Sequence, residues 1–161
     1  MSVIKIFRIS LLTICILSVG AVDNLQAQKK KKKRKISTVI SSAKGYIGTP
    51  YRYGGMSAKG IDCSGLMYQC FKKAGYSLPR TAKEQSKYGK KVGWGSIRPG
   101  DIVFFKFKQK GEKWWHSGLI TNAKDGNIKF IHASSSRGVV ESNLLSNYYK
   151  KNVKNFRRVI K

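Results

Sequence analysis

Hydrophobic positions along the chain fall into three successive patterns. The first is continuous: Ile9 to Val22 carries no charge and is mostly Ile, Leu, Val, Ala and small polar residues. It is shorter than the roughly 20 residues a spanning helix needs. Lys5 and Arg8 precede it, Asp23 breaks it, and small residues follow at Val19-Gly20-Ala21 and Leu25-Gln26-Ala27. This order predicts a secretory signal peptide over residues 1–27, with export to the periplasm, cell envelope or exterior. Cys15 lies in the middle of the run behind the bulky Ile14, which argues against a lipid-anchor site.

The second pattern has helical spacing. Ser37 to Tyr46 predicts a first helix, stopped by Gly48-Thr49-Pro50. Residues 50–62, rich in Gly and Tyr, read as an ordered loop. A second helix is expected from Cys63 to Ala74, with Leu66, Met67, Cys70, Phe71 and Ala74 on one face and Gly75 as its stop. A third, short helix is expected over Thr81–Tyr88. After Pro99-Gly100 the period changes to that of strands, over Asp101–Phe107, Trp114–Thr121, Asn127–Ala133 and Val139–Ser142, with turns at Gly111 and Asp125-Gly126. Asn155–Ile160 could add a last strand. Helices first and antiparallel strands second predict an α+β fold.

Length and charge narrow this picture. The 161 residues suit one domain, and a hydrophobic fraction of 41% is enough for a core. Lys and Arg number 33 against 7 Asp and Glu, a net charge of +26. Residues 29–35 are all basic, so residues 28–36 read as a solvated, disordered arm able to meet an anionic envelope surface. The rest of the domain is basic as well. Such a field favours polyanions. A secreted chain is expected to meet cell-wall carboxylates or anionic surface polymers, and no specific nucleic-acid partner is expected. Three cysteines are too few for a disulfide scaffold or a thiolate zinc site.

The candidate chemistry centres on Cys63. A thiol at a helix start faces unpaired N–H groups and the positive end of the helix dipole, which favour thiolate. Cys70, on the apolar face, reads as an ordinary buried cysteine. The two lie roughly 10 Å apart along the helix axis and cannot form a disulfide. A thiolate nucleophile needs a base and an orienting partner. The chain has two histidines, His116 and His132, on successive predicted strands. Adjacent strands could bring both to one face beside the helix start. The competing readings are two structural histidines, or a three-ligand Cys/His zinc site without metal-type spacing. No cofactor or metal is called for.

With these residues in hand, the chain resembles the NlpC/P60 family of papain-like cysteine peptidases that hydrolyse bacterial cell-wall peptides. The resemblance is carried by Gly48-Thr49-Pro50-Tyr51-Arg52-Tyr53-Gly54-Gly55, Gly60-Ile61-Asp62-Cys63-Ser64-Gly65-Leu66 and Leu78-Pro79-Arg80-Thr81. Arg98-Pro99-Gly100-Asp101-Ile102-Val103-Phe104-Phe105, His116-Ser117-Gly118 and Ile131-His132-Ala133-Ser134 follow in the family's order. It implies a catalytic domain over 37–161 with Cys63 as nucleophile, His116 as base and His132 as the residue orienting it. Tyr51 and the Cys63 N–H would hold the oxyanion. Asp62 and Ser64 would contact the substrate's free amine, with Asp62 also readable as the helix N-cap, and Arg80 would be architectural. Ser117 and Ile120 depart from the family's usual residues without removing a catalytic group. The chain resembles single-domain members, without the SH3-like wall-binding domain many relatives carry, and a monomer is expected. The implied substrate is a peptidoglycan stem peptide, cut through a thioester at a D-γ-glutamyl–diaminopimelate or D-alanyl–diaminopimelate bond. The alternative is a non-catalytic wall or anionic-polymer binder on the same fold.

Overall fold

The computed structural model describes residues 3–109, 111–124 and 126–161, with side chains described from residue 24 onward apart from 109 and 112. The side chains of the expected signal segment, and Asp125 of the expected turn, lie outside the described residues. The chain divides into two units, Met1–Arg34 and Lys35–Lys161. Helix α1 is Val3–Gly45. Residues 28–36, expected as a solvated, disordered arm, lie within this helix. No Gly or Pro occurs between Ala21 and Lys44, and Ala, Gln, Lys and Arg are strong helix formers. Among the described residues no helix is long and apolar enough to cross a membrane.

In the second unit, the loop after α1 holds a two-stranded ribbon of β1 (Met56–Ser57) and β2 (Gly60–Ile61). Helix α2 (Cys63–Lys73) and the single turn α3 (Ala82–Gln85) follow. The expected third helix is shortened because Gly89, at φ +79°, turns the chain into β3 (Lys90–Val92). The remaining strands are β4 (Ile102–Gln109), β5 (Glu112–Lys124), β6 (Asn127–Ser134), β7 (Gly138–Asn143) and β8 (Val153–Arg158), with the turn α4 (Asn147–Lys150) before β8. They form one antiparallel sheet in the order β3-β8-β4-β5-β6-β7. The α+β expectation holds. β3 and α4 are additions that the hydrophobic pattern did not reveal.

The period-two alternation of β4 explains the layering. Ile102 and Phe104 join Leu119, Ile131, Ala133 and Val139 in a core shared with Leu66, Met67, Cys70 and Phe71 of α2 and Val39 and Ala43 of α1. Val103, Phe105 and Phe107 belong to a second core with Ile120, Phe130, Leu144 and Phe156. The sheet is therefore covered on both faces, by helices on one and by an aromatic layer on the other.

Candidate active site

Asp62 ends the ribbon loop and caps α2, accepting a hydrogen bond from the Gly65 N–H at 2.6 Å. Cys63 is thus the first helical residue, 7% exposed. Gly65 has to be glycine because a Cβ there would run into the Gly55 carbonyl. The Asp62 carboxylate accepts four further bonds: Gly54 N–H at 2.9 Å, Ser64 Oγ at 3.0 Å, and Arg80 Nη1 and Nη2 at 3.1 and 2.6 Å. Arg80 Nη1 also donates to Ser64 Oγ at 2.9 Å. Burial alone would raise the Asp62 pKa, but the Arg80 and Gly65 bonds outweigh it and hold the carboxyl below its ordinary value.

On the aromatic face of the sheet, His116 Nε2 lies 2.9 Å from His132 Nδ1. His132 Nε2 in turn meets Ser142 Oγ at 3.0 Å and Tyr149 Oη at 3.1 Å. Phe105 and Phe107 pack against the His116 ring, and Phe130 stacks on His132. Gly118 leaves the room this requires, since a Cβ there would sit 2.5 Å from the Phe130 ring. Burial lowers the His116 pKa from 6.5 to about 4. His132 falls to about 3 through burial, with His116 and Arg137 adding to the effect. His116 is half-buried, with an edge on the cleft. Both imidazoles are neutral at pH 7. One tautomer lets His116 serve as a base: its Nε2–H donates to His132 Nδ1, and its Nδ1 lone pair remains to take a proton.

Burial also raises the Cys63 pKa, opposed by hydrogen bonds from the Ser117 N–H and hydroxyl and the Ser64 N–H. This corrects the expectation of a lowered thiol pKa: the helix terminus helps the thiolate, but enclosure outweighs it. The resting pair is thiol and neutral imidazole. Burial, reinforced by Cys63, Asp62 and Tyr53, raises the Tyr51 pKa, so its phenol remains a donor.

Tyr51, Cys63, Trp114 and Trp115 line both lobes of one cleft. The first lobe adds His116, His132, Phe107, Tyr148 and Tyr149. The second, about 460 Å³, adds Tyr53, Asp62, Ser64, Arg80 and Lys83. All six residues singled out from sequence meet here. Four were missed in these roles: Arg80 on Asp62, Ser117 on Cys63, and Ser142 and Tyr149 on His132. Arg80 and Ser117 lie inside quoted motifs. Ser142 and Tyr149 carry no local signal, because β7 and α4 bring them in from outside every motif. Among the described residues no cluster of His, Cys, Asp and Glu could hold a metal ion.

Comparison with known proteins gives this cleft its context. Residues 48–158 match the NlpC/P60 family. Over 113 residues the chain is 42% identical to the probable endopeptidase NlpC of Escherichia coli, covering 70% of each protein. It is 38% identical over 125 residues to the murein DD-endopeptidase MepS/murein LD-carboxypeptidase of the same species, covering 77% of this chain and 63% of that one. An NlpC/P60 family protein from Bacillus cereus has a similar structure, with a TM-score of 0.69 at 30% identity, over 78% of this chain and 40% of the other. The peptidoglycan hydrolase RipB of Mycobacterium tuberculosis gives a TM-score of 0.67 at 25% identity, over 82% and 68%. The chain thus spans about two thirds of these two sequence relatives and under half of the Bacillus protein. A helix-start cysteine, a hydrogen-bonded histidine pair and a match over residues 48–158 agree, and the chain belongs to the NlpC/P60 family of cysteine peptidases.

Proposed function

We propose that this protein is an exported peptidoglycan endopeptidase in which Cys63 attacks a stem-peptide carbonyl and forms a thioester. The observation that carries the reading is the 2.9 Å His116–His132 contact on the cleft that Cys63 lines. The thiol gives its proton to His116 Nδ1 as the C–S bond forms. His132 Nδ1 accepts from Nε2–H of the resulting imidazolium. Tyr51 Oη and the Cys63 N–H, an orphan donor of the first helical turn, receive the oxyanion. The imidazolium then protonates the leaving amine as the C–N bond breaks, and a water activated by His116 releases the acid and the thiol.

The relatives named for murein endopeptidase activity support the substrate class, and the uncharged Ile9–Val22 run supports export. The basic helical residues 29–34 suit retention at an anionic envelope surface. A binder without catalysis has no use for a coupled histidine pair lining one cleft with a thiol. The test is mass spectrometry of muropeptides from diaminopimelate-type sacculi incubated with wild type and with Cys63→Ala. Fragments released by wild type alone are expected. Equal release by the folded Cys63→Ala variant would sink the mechanism.

A further inference from the structure

One edge of the sheet carries a concentration of charge that neither the catalytic cleft nor the two cores use. β3 is an edge strand, and in its register with β8 Lys90 stands opposite Arg158 and Lys91 opposite Arg157. Like charges placed directly opposite destabilise a sheet. One pair is relieved, because Arg158 donates through Nε and Nη2 to the two oxygens of Asp101 at 2.7 and 2.8 Å. The other is not. The ion pairs among the described residues are Arg80–Asp62, Lys129–Glu141 and Arg158–Asp101. None of them includes Lys91 or Arg157, or the neighbouring Lys87 and Lys90.

Opposed residues share a face of the sheet, so Lys91 and Arg157 project together. Backbone acceptors hold the arginine in place: its Nε donates to the Ser86 carbonyl at 2.6 Å and its Nη1 to the Gly89 carbonyl at 3.3 Å. Both Nη2 protons are left without a protein acceptor among the described residues. Lys87, Lys90 and Lys91 are exposed. Lysines on an edge strand keep other sheets from pairing with it, which accounts for Lys90 and Lys91. It does not account for an arginine on the inner strand, fixed opposite one of them. A guanidinium anchored by backbone, beside ammonium groups on flexible stems, suits a carboxylate.

We propose that the β3–β8 edge is an attachment site for the free carboxylates of peptidoglycan, holding the enzyme on the wall while the cleft works on another stem peptide. Charge complementarity names the occupant: a repeating polycarboxylate matches an edge whose cations have no carboxylate of their own. Lys87, Lys90, Lys91 and Arg157 line neither lobe of the cleft. In the order β3-β8-β4-β5, the strand bearing His116 lies three strands from the edge, roughly 14 Å at the usual spacing. One polymer can therefore be held and cut at separate points. The inference rests on the endopeptidase reading, which makes the wall the substrate.

Cosedimentation with sacculi reads attachment without turnover. Full-length protein carrying Cys63→Ala is titrated at low salt with diaminopimelate-type sacculi, either unmodified or with their carboxylates amidated. Amidation is expected to weaken binding about tenfold or more. Adding Lys90→Gln and Lys91→Gln together should weaken binding to unmodified sacculi about 3- to 30-fold and narrow the gap between the two kinds of sacculi. Arg157→Lys keeps the charge but loses the anchored fork, and should cost about two- to fivefold. Lys150→Gln with Lys151→Gln removes two exposed charges from α4 and should change binding less than about twofold. Equal losses in the two double variants would assign wall affinity to net charge and overturn the proposal. So would binding indifferent to amidation, or no binding to sacculi. Phosphatidylglycerol vesicles are run in parallel, and an effect of Lys90→Gln/Lys91→Gln on vesicles alone would make the edge a lipid-binding surface instead. Thermal unfolding checks each variant, and the exposed lysine pair carries the test if Arg157→Lys does not fold. Failure of the endopeptidase reading shows separately, as wild type that binds sacculi in this way yet releases no fragments.

Discussion

At the scale of single residues, enclosure of the reacting groups decides how the site works. Cys63 is almost fully buried, and its thiolate relies on the Ser117 N–H and hydroxyl. The Ser117 hydroxyl is itself buried and meets no hydrogen-bond partner among the described residues, so it is free to turn toward the sulfur as the thiolate forms. Replacing Ser117 with Ala removes a donor to the charged form, so the thiol pKa should rise further. Alkylation of Cys63 at pH 7 should slow about three- to tenfold, read from the pH dependence of iodoacetamide labelling. An unchanged profile would mean that the hydroxyl does not act on sulfur. The histidine pair makes a second prediction. His132→Ala leaves the His116 Nε2–H without its acceptor, and kcat should fall by about 100-fold or more. Tyr149→Phe removes one of the two hydroxyls at His132 Nε2 and should cost only about two- to tenfold in kcat. KM should change less than kcat in both, because what each variant loses first is support of the base. A rise in KM alone would show that Tyr149 acts as a wall of the cleft.

At the scale of elements, the site is assembled from parts with unequal signals in the sequence. Helix α2 was legible because Asp62 and Gly75 mark its ends and its apolar face repeats at helical spacing. The strands bearing His116 and His132 were legible by alternation, and the neighbouring register Leu119↔Ile131 is what aligns them. Less could be read where structure depends on distant partners. β3 is exposed at Lys90 and Lys91 and exists because β8 pairs with it. α4 is one turn long, yet it delivers Tyr149 to His132. Residues 28–36, expected as a solvated, disordered arm, lie within α1, and no Gly or Pro in that charge run stops a helix. Close packing between strands supplies the prediction at this scale. A Cβ at Gly118 would meet the Phe130 ring at 2.5 Å and the Ile131 carbonyl at 3.1 Å. Backbone on one side leaves little room to yield. Gly118→Ala should cost about 1–3 kcal/mol in urea unfolding. It should also depress activity more than stability, because the displaced ring is the one stacked on His132.

At the scale of the whole molecule, the two neutral histidines make stability depend on pH in a defined window. Unfolded, each takes a proton near 6.5; folded, His116 does so near 4 and His132 near 3. Between these values the unfolded chain binds more protons, so stability falls as pH falls. The contribution is complete above pH 6.5 and declines toward pH 4, with a limiting slope of roughly 1.4 kcal/mol per pH unit for each histidine. Asp62 acts lower down. Its folded pKa lies below 3.8, so the stability from its Arg80 pair is lost only as pH falls through and below that value. A competing cause is self-repulsion, since a chain of net charge +26 becomes still more positive as its carboxylates protonate. Salt separates the two, because exposed charges are screened and a desolvated imidazole is not. Urea unfolding between pH 4 and 7 should therefore keep most of its slope in 0.5 M salt, and His132→Asn should remove about half of what remains. A slope that vanishes in salt, or survives intact in His132→Asn, would assign the acid sensitivity to net charge and not to the histidine pair at the catalytic cleft.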